Sequence, residues 1–442
     1  MVGPVPPAPH HILIAGGGAG GLELATRLGD TLGRRGAVRV TLVDCSRTHV
    51  WKPLLHAVAA GTLRPSQHEL NYLAQAHWHH FTYRFGEVTG IDRARQELII
   101  AAMRDEEGRL LTPETRLGYD TLVMAVGSVT NDFGTPGVRE YAVPLDTPQQ
   151  ASRFNRRLVN AFLRANTQAE PVRPGQLDVV IIGAGATGTE LAAELHQTVR
   201  EVVSYGLDRI DPANNVRIVL LEAAPRILPA LPERLSNAAR RLLESLGIEV
   251  RTSARVESVG ADRVRLASGE EIPTELVVWS AGVKAPEFLK SFGDLEVNRI
   301  NQLVVTPTLQ TTRDPNIFAL GDCAACPLPD SAGTVPPRAQ AAHQQASHML
   351  RQVKARLAGR PLQPYRYRDF GSLVALGRYS TVGNLMGALI GENLFIEGLF
   401  ARFIYRSLYQ MHLAALHGRA ATFWRSLVSG LADRPTPTVK LH

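Results

Sequence analysis

Two glycine-rich segments with the same spacing constrain the fold of this chain more than any other feature of its sequence. Residues 16–21 and 183–188 both fit the pattern G-x-G-x-x-G. Each follows a short apolar run typical of a buried strand and precedes apolar residues at helical spacing. The first glycine allows a tight turn, the second lets backbone approach a pyrophosphate, and the third lets the helix pack on the strand. The sequence therefore predicts two strand-turn-helix units, each suited to one dinucleotide.

An acidic residue ends the next apolar strand after each glycine segment. Asp44 follows residues 38–43, and Glu222 follows residues 216–221. A lone glycine pattern also fits an ordinary strand-turn-helix, but a carboxylate at this position can accept hydrogen bonds from a ribose. The same carboxylate would repel a 2′-phosphate, so Glu222 favours NADH over NADPH.

Composition and charge narrow the class of protein. The 442 residues are enough for two or three domains, with 45% hydrophobic and 20% charged residues as in ordinary globular proteins. The net charge of +7 fits either nucleic acid or an anionic membrane surface. The basic residues are scattered and no nucleic-acid motif accompanies them, so we expect a membrane surface and no nucleic acid. Three cysteines are too few for a disulfide framework, which indicates a reducing compartment.

The order of the remaining segments predicts one domain inserted into another. Residues 51–56 and the alternating stretches around 81–100 are interpreted as strands of the first domain, and residues 119–127 as a buried strand at its close. Residues 276–282 resemble that strand in form, and residues 316–322 add one more. The predicted limits are 1–145 and 286–365 for the first domain, 146–285 for the second, and 366–442 for a C-terminal region.

With these features together, the chain resembles the type II NADH dehydrogenases, the single-subunit NADH:quinone oxidoreductases, and within them the enterobacterial-like branch. The resemblance is carried by both glycine segments and by residues 49–56, 321–322, 339–345 and 440–442. Residues 339–345 fit the family pattern AQxAxQQ. The resemblance implies an α/β fold with two Rossmann-like dinucleotide-binding domains of the disulfide-reductase type, followed by a C-terminal amphipathic helical region that associates with a membrane.

The resemblance also implies two cofactors, FAD and NADH, and a set of binding residues for each. The residues implied for FAD are Gly16, Gly18, Gly21, Asp44, Lys52, Gly127, Asp322 and Ala339. Those implied for NADH are Gly183, Gly185, Gly188, Glu222, Ala281 and Gly282.

Three further residues match positions at the family's reaction centre. Glu190 matches a glutamate beside the nicotinamide and flavin, and Gln340 and Gln344, with His343 between them, match residues that border the flavin and the quinone head group. Each has an alternative explanation. A carboxylate in the first turn of a helix is favoured by the helix dipole, and glutamines four residues apart also suit a solvated helix face. Asp322 has one as well, as the cap of a nearby helix.

The implied reaction passes a hydride from NADH to FAD and then two electrons to a membrane quinone. Glu190 is expected to orient the nicotinamide rather than to act as an obligate acid or base. No run of about 18 apolar residues occurs, so the sequence predicts no transmembrane helix and a reaction that is not electrogenic.

Residues 1–11 are rich in proline and lack the apolar region of a secretory signal. Cys323 and Cys326 are too few for a zinc site, and no metal is expected.

Two apolar stripes near the C-terminus predict contact with a membrane surface. They begin at Phe400 and Phe423, follow helical spacing and are flanked by arginines, as in interfacial helices. The protein is therefore expected at the cytoplasmic face of the inner membrane, as a peripheral protein. Packing of the same stripes on the body of the protein, or on the mate in a homodimer, is the alternative.

Rival families make different demands on cysteine. Sulfide:quinone oxidoreductases need cysteines close to the flavin in the middle of the chain, and none lies between Cys45 and Cys323. Thiol-disulfide reductases place a cysteine pair soon after the first glycine segment, where Cys45 stands alone. Another FAD-dependent pyridine nucleotide oxidoreductase, or a nucleotide-sensing flavoprotein without quinone turnover, stays open at this stage.

Overall fold

The computed structural model describes residues 8–329, 333–376, 380–385 and 394–397, together with Leu413 and Leu416. The helices are α1 Ala19–Thr31, α2 Leu55–Ala60, α3 Pro65–His68, α4 Tyr72–Trp78, α5 Val138–Tyr141, α6 Pro148–Thr167, α7 Ala186–Ser204, α8 Pro212–Asn215, α9 Glu233–Ser245 and α10 Ala339–Leu357. Short 3-10 turns lie at Gly33–Arg35, Lys52–Leu54, Glu287–Ser291 and Gly321–Cys323.

The strands are mostly short. They are β1 His10–Ala15, β2 Val38–Asp44, β3 Thr48–His49, β4 Leu70–Asn71, β5 Thr82–Phe85, β6 Val88–Asp92, β7 Glu97–Ile100, β8 Met103–Arg104, β9 Leu110–Thr112, β10 Thr115–Gly118, β11 Thr121–Met124, β12 Val129–Thr130, β13 Ala142–Pro144, β14 Val179–Ile182, β15 Ile218–Leu221, β16 Glu249–Arg251, β17 Val256–Val259, β18 Arg263–Leu266, β19 Glu271–Pro273, β20 Leu276–Trp279, β21 Val283–Lys284, β22 Leu303–Val304, β23 Gln310–Thr311, β24 Asp314–Ala319, β25 Ala324–Ala325, β26 Ser372–Leu376, β27 Ser380–Leu385 and β28 Leu394–Glu397.

The chain forms two compact units, and the first is built on a six-stranded sheet. This unit comprises Met1–Val50, Glu69–Val129 and Val283–Arg368. Its strand order is β23-β24-β11-β1-β2-β5, parallel except for β23. Residues 12–15 of β1 are fully buried, as expected for a central strand of a parallel sheet.

The second unit repeats this plan around a five-stranded parallel sheet. It comprises Trp51–His68, Thr130–Gly282 and Asp369–His442, with the strand order β13-β20-β14-β15-β16. Its apolar core gathers side chains from β14, β15 and β20 and from the antiparallel sheet β17-β18-β19.

Both glycine turns lie at a topological switch point. β1 lies between β11 and β2, and β14 lies between β20 and β15. In sheets of this kind a crevice opens at the carboxyl end of such a strand, and nucleotides bind there. The α/β fold with two Rossmann-like dinucleotide-binding units is thereby confirmed.

Residues 51–56 were expected to form a strand, and that prediction is wrong. They form the 3-10 turn Lys52–Leu54 and the start of α2, and they lie in the second unit. Pro53 has no N–H to donate to a strand ladder, whereas it suits the first turn of a helix. All of α2 is buried, and it packs against α6 and α7. The predicted domain limits stay a prediction, because a compact unit need not be an independently folding domain.

The C-terminal region contains an antiparallel sheet that the sequence analysis did not predict. β26, β27 and β28 pair in that order, and β26 packs against α7. The two amphipathic stripes that begin at Phe400 and Phe423 lie outside the described residues, so the predicted interfacial helices stay a prediction. Across the described ranges, the model shows no helix with the length and apolar character needed to cross a membrane.

Candidate active site

The first glycine turn is tightly closed at two positions and open at a third. Gly16 has φ +104°, and a Cβ built on it would lie 2.3 Å from the Ala125 oxygen. A Cβ on Gly21 would lie 1.9 Å from the Gly16 oxygen, so α1 approaches β1 as only glycine allows. Gly18, the N-cap of α1, has no heavy atom of the described chain within 4 Å of its Cβ position. The turn thus leaves room for a ligand at the N-terminus of α1.

Asp44 closes the turn from the end of β2. Its carboxylate accepts hydrogen bonds from the backbone N–H of Gly17 at 2.6 Å and of Ser46 at 2.7 Å. Burial raises the pKa of Asp44, although these two donors oppose the shift. Each carboxylate oxygen keeps a further lone pair, so Asp44 can also accept a ribose hydroxyl.

The second glycine turn repeats the same geometry. Gly183 has φ +101°, and a Cβ on Gly188 would lie 2.0 Å from the Gly183 oxygen. Gly185 again has no heavy atom of the described chain within 4 Å of its Cβ position. Glu222 accepts from the N–H of Ala184 and of Ala224, both at 2.9 Å. Two turns distant in sequence therefore present the same arrangement of backbone and carboxylate.

Two side chains that the sequence analysis did not single out hold the first turn. The Tyr72 hydroxyl donates to the Gly17 oxygen at 2.7 Å, and His49 Nδ1 lies 2.9 Å from the same oxygen. Burial lowers the pKa of His49 to about 4, so the ring is neutral and its Nδ1–H is the donor. His49 stands in the 49–56 motif, but its partner is 32 residues away and no local pattern reveals it.

Asp322 lies in a turn that is fixed at three points. Ser128 Oγ donates to Asp322 Oδ2 at 2.7 Å, and Gln302 Nε2 donates to the Asp322 carbonyl at 2.8 Å. The N–H of Gly321 donates to Oε1 of the buried Gln345 at 2.7 Å. Ser128 directly follows Gly127, which has φ +69° after β11. Ser128 and Gln302 are site-forming residues that the sequence did not reveal, whereas Gln345 stands in the 339–345 motif without a predicted role.

The residues of the 339–345 motif begin α10. Ala339 is the first helical residue, and Gln340 and Gln344 lie one turn apart, as the spacing predicts. The Gln344 amide donates to the Arg368 carbonyl at 2.8 Å and accepts from the Arg368 N–H at 3.0 Å. His343 Nδ1 lies 2.5 Å from Oε2 of the buried Glu23 on α1. Gln344 and His343 thus have structural partners, and contact with a quinone stays a prediction for this motif.

Ala281 and Gly282 follow β20 in the second unit. The Gly282 carbonyl accepts from the Asn131 N–H at 3.2 Å, and Gly282 itself has φ +65°. Trp279 Nε1 donates to the Asn131 carbonyl at 2.9 Å, which ties the same loop to the end of β20. This loop follows the sheet's carboxyl end, on the same edge as the second glycine turn.

Glu190 is buried in the first turns of α7 and is held on both carboxylate oxygens. Oε1 accepts from the Ala375 N–H of β26 at 2.9 Å, and Oε2 lies 3.3 Å from His56 Nδ1. His56 Nε2 lies 3.5 Å from Glu194 Oε1. Burial alone would lower the pKa of His56, but Glu190 and Glu194 together raise it to about 9. Glu194 and Ala375 are further residues that the sequence did not reveal. His56 stands in the 49–56 motif without a predicted role, because its partners on α7 are remote in sequence.

The remaining predicted residues are less closely tied to these turns. Lys52 is exposed at the start of its 3-10 turn in the second unit. Cys323 and Cys326 are buried free thiols, and burial raises the pKa of each to about 12. Thiols of this kind are poor nucleophiles and poor metal ligands. Among the described residues, no group of three or more His, Cys, Asp or Glu side chains could hold a metal ion.

Comparison with known proteins identifies the family. Residues 10–346 match the family "Pyridine nucleotide-disulphide oxidoreductase". A type II NADH:quinone oxidoreductase from Haemophilus influenzae is 40% identical over 98% of this chain and 100% of that protein. The chain belongs to the type II NADH:quinone oxidoreductases.

Solved structures agree with this family in fold but do not by themselves select it. The structure of NDH2 from Plasmodium falciparum in complex with NADH has a TM-score of 0.78 at 18% identity and covers 98% of this chain and 100% of that one. The sulfide:quinone oxidoreductase of Aquifex aeolicus has a TM-score of 0.69 at 18% identity, with 96% and 95% covered. Sequence identity along the whole chain, rather than fold, therefore distinguishes a type II NADH:quinone oxidoreductase from its structural neighbours.

Proposed function

We propose that this protein oxidises NADH and passes the electrons through bound FAD to a membrane quinone. The observation that carries the proposal is the repeated turn, in which a glycine loop and a strand-end carboxylate form one dinucleotide site in each unit. Similarity along the whole chain to a type II NADH:quinone oxidoreductase, with 40% identity, supports FAD and NADH as the two dinucleotides.

The first unit has the features that FAD requires. Gly16, Gly18 and Gly21 leave a turn open to a pyrophosphate, and Asp44 offers carboxylate lone pairs to a ribose. Asp322, fixed by Ser128, is proposed to hold the cofactor further along, together with backbone at Gly127 and Ala339. Lys52 is proposed as a further FAD-binding residue from the family resemblance alone. When bound, FAD supplies an acceptor for a hydride and a donor of two electrons.

The second unit has the features that NADH requires. Gly183, Gly185 and Gly188 form the turn, Ala281 and Gly282 follow the neighbouring strand, and Glu222 stands where the adenosine ribose would bind. Arg226 lies close by in sequence, yet its guanidinium donates to the carbonyls of Leu231 and Pro229. A carboxylate at the ribose position and an arginine bonded to backbone together favour NADH over NADPH.

The residues proposed to act on the substrates are Glu190, Gln340 and Gln344. Glu190 is proposed to orient the nicotinamide, because its carboxylate is held at both oxygens and has little freedom to move. Gln340 and Gln344, on one face of α10, are proposed to border the quinone head group. Attachment to the cytoplasmic face of the membrane through the region from Phe400 onward, assembly as a homodimer and a reaction that is not electrogenic complete the proposal.

A steady-state assay tests the proposed function. Purified protein mixed with NADH and a short-chain quinone should form one quinol per NADH consumed, and NADPH should react far more slowly. NADH oxidation that does not depend on the quinone would contradict the proposal.

A substitution of Glu222 tests its proposed role in the preference for NADH over NADPH. Glu222→Gln should narrow the preference for NADH, because it removes the charge that repels a 2′-phosphate. Glu233→Gln, which removes an exposed carboxylate at the start of α9, is the matched control. An unchanged ratio of kcat/KM for the two nucleotides in Glu222→Gln would remove this residue from the selectivity argument.

A further inference from the structure

Three ionisable side chains form a buried cluster in the second unit. His56 on α2 lies between Glu190 and Glu194 on α7, at 3.3 Å from one carboxylate and 3.5 Å from the other. The side chains of His56, Glu190 and Glu194 are 3%, 6% and 16% exposed. Charges in such a poorly hydrated place interact strongly with one another and with any charge that develops nearby.

The geometry assigns a charge to each member. Glu190 and Glu194 are four residues apart on one helix face, where two carboxylates repel each other. His56 offers Nδ1 to the first and Nε2 to the second, and a ring can donate from both nitrogens only as imidazolium. The raised pKa of His56 agrees with this form. The cluster therefore carries two negative charges and one positive charge, a net charge of minus one.

The neighbours of the cluster keep this arrangement fixed. Glu194 Oε2 accepts from Thr62 Oγ1 at 2.9 Å, so its Oε1 faces His56, and the Ala375 N–H holds Glu190 Oε1 in the same manner. On the side of α6, the uncharged Asn155 donates to the Ala59 carbonyl of α2 at 3.2 Å. The charged groups that act on the His56 ring are thus Glu190 and Glu194, both on α7.

Hydride transfer creates a positive charge on the substrate. The dihydronicotinamide of NADH is neutral, and loss of a hydride, one hydrogen nucleus with two electrons, leaves the cationic nicotinamide of NAD+. A fixed anion beside the ring stabilises that developing charge in the transition state more than it stabilises neutral NADH. Glu190 paired with the imidazolium of His56 is neutral as a pair and would stabilise the nicotinamide charge only weakly. The carboxylate of Glu194 makes the net charge of the cluster negative.

We propose that Glu190, His56 and Glu194 act together as one fixed anion that favours hydride transfer. His56 positions the carboxylate of Glu190, and Glu194 is the source of the net negative charge. The inference rests on the proposed function, since it needs NADH in the second unit with its nicotinamide beside Glu190. His56 and Glu194 are positioning residues in this account, because they act through Glu190 rather than by touching the substrate.

The test is a charge-balance series measured by rapid mixing with NADH. Glu194→Gln makes the cluster neutral and should slow flavin reduction on the order of tenfold, as loss of one charge interaction in the transition state would. The KM for NADH should change little, while inhibition by NAD+ should weaken, because only the oxidised ring is cationic. Glu201→Gln, which removes one carboxylate further along α7, is the matched control.

The double variant His56→Gln with Glu194→Gln separates charge from packing. Glu190 is then the one ionised member of the three, so the net charge of the cluster returns to minus one and flavin reduction should be faster than in Glu194→Gln. If the cluster served packing alone, two changes would be worse than one. FAD content and the melting temperature of each variant show whether it has folded. If the double variant does not fold, the strength of NAD+ inhibition in Glu194→Gln tests the charge effect by itself.

The inference fails if Glu194→Gln reduces its flavin at the wild-type rate, or if a folded double variant is slower than Glu194→Gln. Unchanged NAD+ inhibition in Glu194→Gln would also overturn it. If NADH did not reduce the flavin of the wild-type protein, the proposed function itself would be overturned. The two failures are therefore distinguishable.

Discussion

The glycines within each glycine turn have different structural roles, although the pattern G-x-G-x-x-G does not distinguish them. Gly188 has the Gly183 oxygen in the place where a Cβ would lie. Gly185 has extended backbone angles, and no heavy atom of the described residues lies within 4 Å of its Cβ position. Gly188 is required by the packing of α7 on β14, whereas Gly185 is proposed to be required by the ligand. Stability and NADH binding should therefore respond separately to substitution at these two positions.

Gly185→Ala should fold as stably as the wild type and bind NADH poorly. Its φ of −72° suits alanine, but the added methyl group would occupy the space in which a pyrophosphate meets the backbone. We expect a melting temperature close to that of the wild type and a KM for NADH raised on the order of tenfold. Gly188→Ala should instead lower the melting temperature. A wild-type KM in Gly185→Ala would show that the dinucleotide does not approach this turn.

His49 makes stability depend on pH on the acidic side. Its pKa is about 4 in the folded protein and 6.5 in an unfolded chain, so below pH 6.5 the unfolded state binds a proton that the folded state does not. The free energy of unfolding should fall by up to about 3 kcal/mol as the pH drops from 6.5 to 4. His49→Asn, which keeps a donor for the Gly17 carbonyl and does not titrate, should lose less stability over this range.

Thermal unfolding between pH 5 and 7 checks this prediction. His77→Gln removes an exposed histidine on α4 and serves as the control. Parallel curves of melting temperature against pH for the wild type and His49→Asn would show that His49 is not the group responsible.

At the scale of elements, α6 carries a complete N-terminal capping box. The Thr147 side chain accepts from the Gln150 N–H at 3.2 Å, Gln150 Oε1 accepts from the Thr147 N–H at 3.1 Å, and Pro148 occupies the first turn. Thr147→Ala should lower the free energy of unfolding by about 1 kcal/mol, because the Gln150 N–H loses its partner. Chemical denaturation measures the loss. In the control Gln149→Ala, which changes an exposed residue, the free energy of unfolding should stay within about 0.5 kcal/mol of the wild-type value. Equal stability of the two variants would contradict the capping role.

Elements with a strong local signal are the ones that the sequence predicts. β1, β14 and the helices after them follow from apolar periodicity and glycine spacing. Residues 51–56 were misjudged, because apolar residues around a proline fit a strand and a buried helix equally well, and packing against α6 and α7 decides between them. Ser128, Gln302 and Gln345 act across 20 to 194 residues of sequence. Gln345 lies in the 339–345 motif, but no local pattern identifies its partner.

The proposed acceptor dissolves in lipid, so the proposed reaction requires the whole protein to reach a membrane surface. The stripes from Phe400 and Phe423 offer large apolar side chains, each worth about 1.5–3 kcal/mol when fully buried. Deletion of residues 400–442 should release the protein into the soluble fraction while FAD stays bound. Sedimentation with vesicles of anionic lipid measures this, and a truncated protein that still sediments with them would assign the attachment to another surface.

One dinucleotide site is proposed to hold FAD and the other to admit NADH, with a quinone as the final acceptor. Absorbance of the purified full-length protein under anaerobic conditions tests this proposal most directly. We expect a flavin spectrum that one equivalent of NADH bleaches and that a quinone, added without oxygen, restores. A protein without flavin, or a flavin bleached by NADH that a quinone does not re-oxidise, would contradict it.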